Sequence, residues 1–126
     1  MEDQEQGGRL FRNAWIEGVQ RYYPGPPKES YIAPWPQMPK WEQESACAVY
    51  EQVRQFVVLT GGQTSHLSRE QKGRFVSLCW IGQIFKHIPN PKPSYVADWQ
   101  DLPEWQCETD AHIFETIEEA VREQVA

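Results

Sequence analysis

Apolar residues recur at helical spacing in four stretches of the chain. In the first, Leu10, Phe11, Ala14, Trp15, Gly18, Val19 and Tyr22 share one face until Pro24 breaks the pattern, which predicts a half-buried helix. In the second, Ala46, Val49, Tyr50, Val53, Phe56 and Val57 form the stripe. Pro39 is placed in its first turn, where a missing N–H costs nothing, and Gly61 and Gly62 end it. Ser68 with Gln71 predicts a capping box that opens a third helix, whose apolar positions are Phe75, Leu78, Cys79, Gly82, Ile84, Phe85 and Ile88 before the stop at Pro89. Asp101 with Glu104 offers another capping pair ahead of Ile113, Phe114, Ile117, Ala120 and Val121. No window alternates with period two, so the expected fold class is all-α. Residues 1–8, "MEDQEQGG", are polar and glycine-ended and read as a loose tail.

Between the helices of each pair runs a proline-rich, extended segment, since residues before proline are pushed out of the α region. These segments repeat. "SYIAPWPQMPKWEQESACAVYEQV" (30–53) returns as "SYVADWQDLPEWQCETDAHIFETI" (94–117), and from Lys28 to Val57 ten of thirty positions are identical at an offset of 64. The preceding helices match at an offset of 65 through Arg9/Arg74, Trp15/Trp80, Ile16/Ile81 and Pro24/Pro89. A repeat of this kind predicts two helix, long loop, helix units that bury one another about a pseudo-two-fold axis. The expected organisation is one domain over 9–126, with repeat 1 at about 9–62 and repeat 2 at about 68–124.

The segments "PWPQMPKWEQESA" and "DWQDLPEWQCETD" resemble the aromatic-and-proline segment of ryanodine-receptor-type repeat (RyR) domains, especially the short RyR-like proteins of bacteria and their phages. The likeness spans roughly residues 9 to 122 and rests mainly on these two segments. In place of the family's glycine-aromatic turn the second half reads "GQIFKHIPNPKPSY", a departure in which only His87 and Pro89 are faintly similar. The resemblance implies a helix, extended loop, helix arrangement in each half. It also implies a non-catalytic module for small molecules, nucleotide-type signals or protein partners.

Composition narrows the classes. A length of 126 residues fits one core without disulfide or metal staples. The net charge of -6 argues against nucleic-acid binding, which rests on Lys and Arg contacts to phosphate. The charge is uneven, however: Arg69 to Lys92 holds five basic residues and one acid, so a local patch for a small anion stays open. Three cysteines, an odd number, fit reduced thiols. The longest apolar run, Phe56 to Leu59, is too short to span a bilayer. The expectation is a cytoplasmic protein without membrane contact.

Six tryptophans in so short a chain direct attention to the paired loops. Tyr31, Trp35 and Trp41, with Tyr95, Trp99 and Trp105, either wedge the loops onto the helices or bracket a planar ligand by stacking. Lys28, Lys92, Arg74 and His87 are the candidate anion contacts above that aromatic floor; the alternative is a solvated surface with cations near helix C-termini. Glu44 and Glu108 are equivalent acids expected to stabilise helix N-termini. Cys107 and His112 lack a second ligand pair, and "TGGQTSH" lacks the lysine of a phosphate loop. No catalytic residues, no metal and no cofactor are expected, and the protein is not read as an enzyme. The expected function is small-molecule binding, for a nucleotide-derived ligand, between the two halves or at a homodimer interface. The alternative is a protein-interaction adaptor of phage or mobile-element origin.

Overall fold

The computed structural model describes residues 2–125, with side chains from Gln4 to Gln124. Among the described residues lie four long helices, α1 (Glu2–Tyr22), α2 (Lys40–Leu59), α3 (Arg69–His87) and α4 (Glu104–Val125), and no strand. The α1–α2 loop contains two short 3-10 turns, Glu29–Tyr31 and Trp35–Gln37, and the α3–α4 loop two more, Pro93–Val96 and Trp99–Asp101. The chain is all-helical, as its periodicity predicts.

Residues 2–8 correct the expectation of a loose tail, because they form the first turns of α1. Their polarity hides the reason, which is that Gly7 and Gly8 are buried at a close approach. A Cβ on Gly7 would overlap the Tyr50 ring, and one on Gly8 would overlap Trp35 and Cys47 Sγ. At the other helix starts, Ser68 and Gln71 form the predicted capping box in full. Pro39 is the N-cap of α2, one position before its predicted place. Asp101 is not a cap: it ends a 3-10 turn, and the Gln106 and Cys107 N–H groups bond instead to the Pro103 carbonyl, as Glu42 and Gln43 do to Pro39.

The core is one cluster in which Val49, Val53 and Val57 of α2 join Ile113, Phe114, Ile117 and Val121 of α4. α4 packs against all three other helices, most extensively α1 and α3. Phe56, Phe75 and Phe114 meet at centroid distances of 4.7, 5.9 and 6.3 Å, tying α2, α3 and α4 together. Each fully buried Ile or Phe there contributes about 1.5–3 kcal/mol by removal from water.

The inward side of α3 overlaps the predicted stripe in part: Phe75, Cys79 and Ile84 face the core, but Leu78, Gly82 and Phe85 do not. Leu78 and Phe85 are 70% and 60% exposed, whereas Lys72, Gly73, Val76, Ser77 and Ile84 are buried. Apolar residues occur all round this helix, so periodicity alone does not fix its phase. Two partners do: Lys72 Nζ donates to Glu118 Oε1 at 2.9 Å, and Gly73 accommodates the Trp99 ring. Of the five basic residues between Arg69 and Lys92, Lys72 alone is buried, and the exposed Arg69 is paired at the surface. Arg69 bonds to Glu108 at 2.6 Å and Glu115 at 3.1 Å, so the acid-rich α4 and the basic start of α3 neutralise one another.

The two loops share local geometry. Tyr31 N–H donates to Lys28 at 3.0 Å and Tyr95 N–H to Lys92 at 2.9 Å; Met38 N–H donates to Trp35 at 3.1 Å and Leu102 N–H to Trp99 at 3.2 Å. They differ in how they are anchored. Arg12 donates to the Ser30 and Ala33 carbonyls and Trp15 Nε1 to the Tyr31 carbonyl at 2.8 Å, whereas α3 carries the short Ser77 at the place of Arg12.

Candidate functional site

The loops and helix starts enclose a cavity of about 640 Å³, a size typical of small-molecule sites. Trp15 and Tyr23 come from α1 and its exit, Tyr31 from the first loop, Trp41 from α2, Trp80 from α3, Tyr95 from the second loop and Trp105 from α4. Their arrangement follows from the first turns of α2 and α4. Each places one tryptophan among the rings of the other half. Trp105 packs against Tyr23, Tyr31 and Trp15 at 4.9, 5.7 and 5.9 Å. Trp41 packs against Trp80 at 6.3 Å and His87 at 6.1 Å.

Two acids and one base share the cavity wall: Asp110, Glu42 and Lys28. Asp110 is only 6% exposed, and burial pushes its carboxyl well above the usual carboxylate range. No hydrogen bond or ion pair of that carboxyl occurs among the described residues, so its desolvation is uncompensated. Burial also raises Glu42, an effect opposed by the charge of Arg12. Lys28 is exposed at the mouth, its ammonium 5.6 Å from the Tyr31 ring. The site therefore has an acidic, aromatic interior and a cation at its rim.

The structure brings five of the sequence candidates to this cavity: Lys28, Tyr31, Trp41, Tyr95 and Trp105. The other five lie apart from its lining. Trp35 is buried against Gly8 with Arg9 above it, and Trp99 covers Gly73 with Arg74 above it at 5.8 Å, so these two rings fasten loop to helix. Lys92 rests 5.8 Å from the Tyr95 ring. His87 backs Trp41, and its buried Nε2 lacks a hydrogen-bond partner among the described residues. Of the paired acids, Glu108 is held by Arg69 and Glu44 is exposed.

Sequence reasoning missed Asp110, Glu42, Tyr23, Trp15 and Trp80 as lining residues. Trp15 and Trp80 were visible as an identical pair, yet only as helix landmarks. Asp110 had a signal: it falls in phase with Ile113, Phe114 and Ile117 on the buried face of α4, where the first half has Ala46. A second depression, open and lined largely by Gln and Glu of α1 and α2, has no converging buried charge. Among the described residues no His, Cys, Asp and Glu cluster could hold a metal ion, and no helix is long and apolar enough to cross a membrane. Compared with known proteins, the chain matches no family model, no curated protein and no solved structure.

Proposed function

We propose that the protein is a non-catalytic small-molecule binding module, built as two RyR-like repeats about a pseudo-two-fold axis, whose site is the aromatic cavity between the halves. The observation that carries the reading is the convergence of eight aromatic side chains from both halves, Phe11 included, on one 640 Å³ space. Ring faces supply ligand contact area at low entropic cost, and they accept planar groups of many kinds. Matching hydrogen bonds in the two loops and the Gly8–Trp35 and Gly73–Trp99 contacts support the repeat. A nucleotide-derived ligand is the class proposed, with Lys28 at the mouth for its phosphate. Burial also raises the Cys79 thiol to about 11, which leaves that side chain poorly suited to nucleophilic chemistry.

The reading is tested by thermal shift against mono-, di- and cyclic nucleotides and NAD-derived compounds. A ligand at ~100 times its dissociation constant stabilises the folded state by ~2.7 kcal/mol. Tyr95→Ala is the informative variant, because this residue is 52% exposed and its removal leaves the core intact. Loss of the shift in a folded Tyr95→Ala protein places the ligand in the cavity; an unchanged shift places it elsewhere.

A second reading, a protein-interaction adaptor, is favoured by one feature. Leu78 and Phe85 project from the same side of α3, two turns apart, beside the exposed Gly82. A partner captured by wild type and lost in Leu78→Glu, with no small-molecule response, would favour that reading.

A further inference from the structure

The buried acid of the cavity lining is Asp110. Its carboxyl lies in the wall of the aromatic cavity, more than nine-tenths buried, without a hydrogen bond or ion pair among the described residues. Cations of α1 and α3 are engaged elsewhere. Arg12 gives its hydrogen bonds to the Ser30 and Ala33 carbonyls, Lys72 bonds Glu118, and Arg69 bonds Glu108 and Glu115. Burial is the cause of the raised Asp110 pKa, with no protein charge acting to lower it. The aromatic rings of the same lining present negative π-faces, and a cation bound beside the carboxyl favours its ionised form with release of its proton, so rings and carboxylate favour the same sign of guest.

We propose that the cavity takes a ligand bearing a quaternary nitrogen, its positive charge set against Asp110 and its alkyl or ring carbons against Trp41, Trp80 and Trp105. The proposal rests on reading the cavity as a small-molecule site and names the chemistry of its guest. A primary ammonium needs acceptors for three N–H groups, whereas the eight aromatic rings of this lining present faces that recognise a quaternary nitrogen without them. A quaternary nitrogen demands none, and its desolvation is small. A neutral base sandwiched between parallel faces fits less well, because Tyr23–Trp105, Tyr31–Trp105 and Trp41–Trp80 are already in contact at 4.9, 5.7 and 6.3 Å, with tilted or edge-on planes. Lys28 at the mouth lets the same site take an N-alkylated ring whose distant end carries phosphate. A simple tetraalkylammonium shares the quaternary nitrogen without the planar ring.

The test is calorimetric titration of the full chain with choline, with N-methylpyridinium, with adenosine monophosphate, and with the uncharged carbon isostere of choline in which a tert-butyl group replaces trimethylammonium. The expected result is binding of one or both cations, roughly tenfold or more tighter than the isostere. Asp110→Asn, which keeps the shape, is expected to weaken the cation roughly tenfold and leave the isostere unchanged. Choline and N-methylpyridinium separate the two sources, a tetraalkylammonium or an alkylated ring. Equal affinity for choline and its isostere, or a folded Asp110→Asn protein that binds cations as wild type does, overturns the charge assignment and leaves the small-molecule reading standing. Adenosine monophosphate bound without either cation has the same consequence. Silence from every probe, in protein that also fails to respond to nucleotides and NAD-derived compounds, overturns both. The isostere comparison uses wild-type protein, so it holds even if the variant misfolds.

Discussion

Gly73 on α3 lies under the Trp99 ring of the second loop, so close that a Cβ at that position would overlap the ring. Gly8 and Trp35 meet in the same way on α1. Loop position is thus set by the absence of a side chain on the helix. Gly73→Ala is expected to destabilise the protein by about 1–3 kcal/mol of overpacking, partly offset by the ~1 kcal/mol gained in helix propensity. Gly82 on the same helix has open space around it, so Gly82→Ala is expected to stabilise by up to ~1 kcal/mol. Urea unfolding of the two variants gives opposite signs if the Trp99 contact is as described; two stabilised proteins would refute it.

Lys72 and Glu118 form an ion pair whose side chains are almost wholly buried, with Arg122 also 3.2 Å from the second Glu118 oxygen. Removing one member of such a pair leaves an unmatched buried charge. Lys72→Met is expected to cost about 3 kcal/mol, toward the lower end for such pairs because Arg122 stays near Glu118. Lys72→Met with Glu118→Gln is expected to recover most of that loss. A double variant as unstable as the single one would mean that Lys72 acts through its aliphatic stem over Phe114 and not through its charge.

The same pair explains what the sequence could and could not convey. The stripes of α2 and α4 were legible because Val49, Val53, Val57, Ile113, Ile117 and Val121 are apolar and periodic, and burial follows directly. α3 was only partly phased, with Phe75, Cys79 and Ile84 inward as expected, because its inward face also includes Lys72, Gly73 and Ser77, residues whose burial depends on partners far away in the sequence. Residues 2–8 misled for a related reason, since the helix they begin is fixed by Tyr50 and Trp35 crowding against Gly7 and Gly8. At the candidate site the repeat singled out the aromatic segments but could not separate Trp41 and Trp105, which line the cavity, from Trp35 and Trp99, which do not. That distinction depends on which helix turn each ring meets.

Asp110 gives stability a pH dependence of definite sign. Its folded-state pKa is raised, so the folded protein holds a proton that the unfolded chain has already released. Stability is therefore greatest below the unfolded carboxylate pKa and declines as pH rises toward the folded value. Glu42, also raised by burial, contributes in the same direction; Lys28 is the cation of the shared wall, and Tyr23, Tyr31 and Tyr95 complete its titratable lining. Asp110→Asn is expected to flatten the decline in a series of melting curves from acid to neutral pH. An unchanged slope in that variant would assign the effect to Glu42.

The unequal anchoring of the two loops predicts unequal motion. Arg12 and Trp15 hold the carbonyls of Ser30, Tyr31 and Ala33 from within the fold, whereas Ser77, at the corresponding place on α3, is too short to span the same gap. Local opening is governed by such contacts more than by global stability. Amide hydrogen exchange is expected to be faster over 92–97 than over 28–33. Arg12→Ser, which copies the second half into the first, is expected to raise exchange over 28–33 toward that of the second loop. It also leaves the half-buried Glu42 without its nearby positive charge, so the Glu42 carboxyl rises further. If the two loops exchange equally in wild type, the Arg12 clamp is not what restrains the first loop, and the Trp15 bond to the Tyr31 carbonyl and Trp35 packing are the remaining restraints. If they differ and Arg12→Ser equalises them, the second loop is the mobile wall of the cavity, and Tyr95 is the ring that moves to admit a ligand.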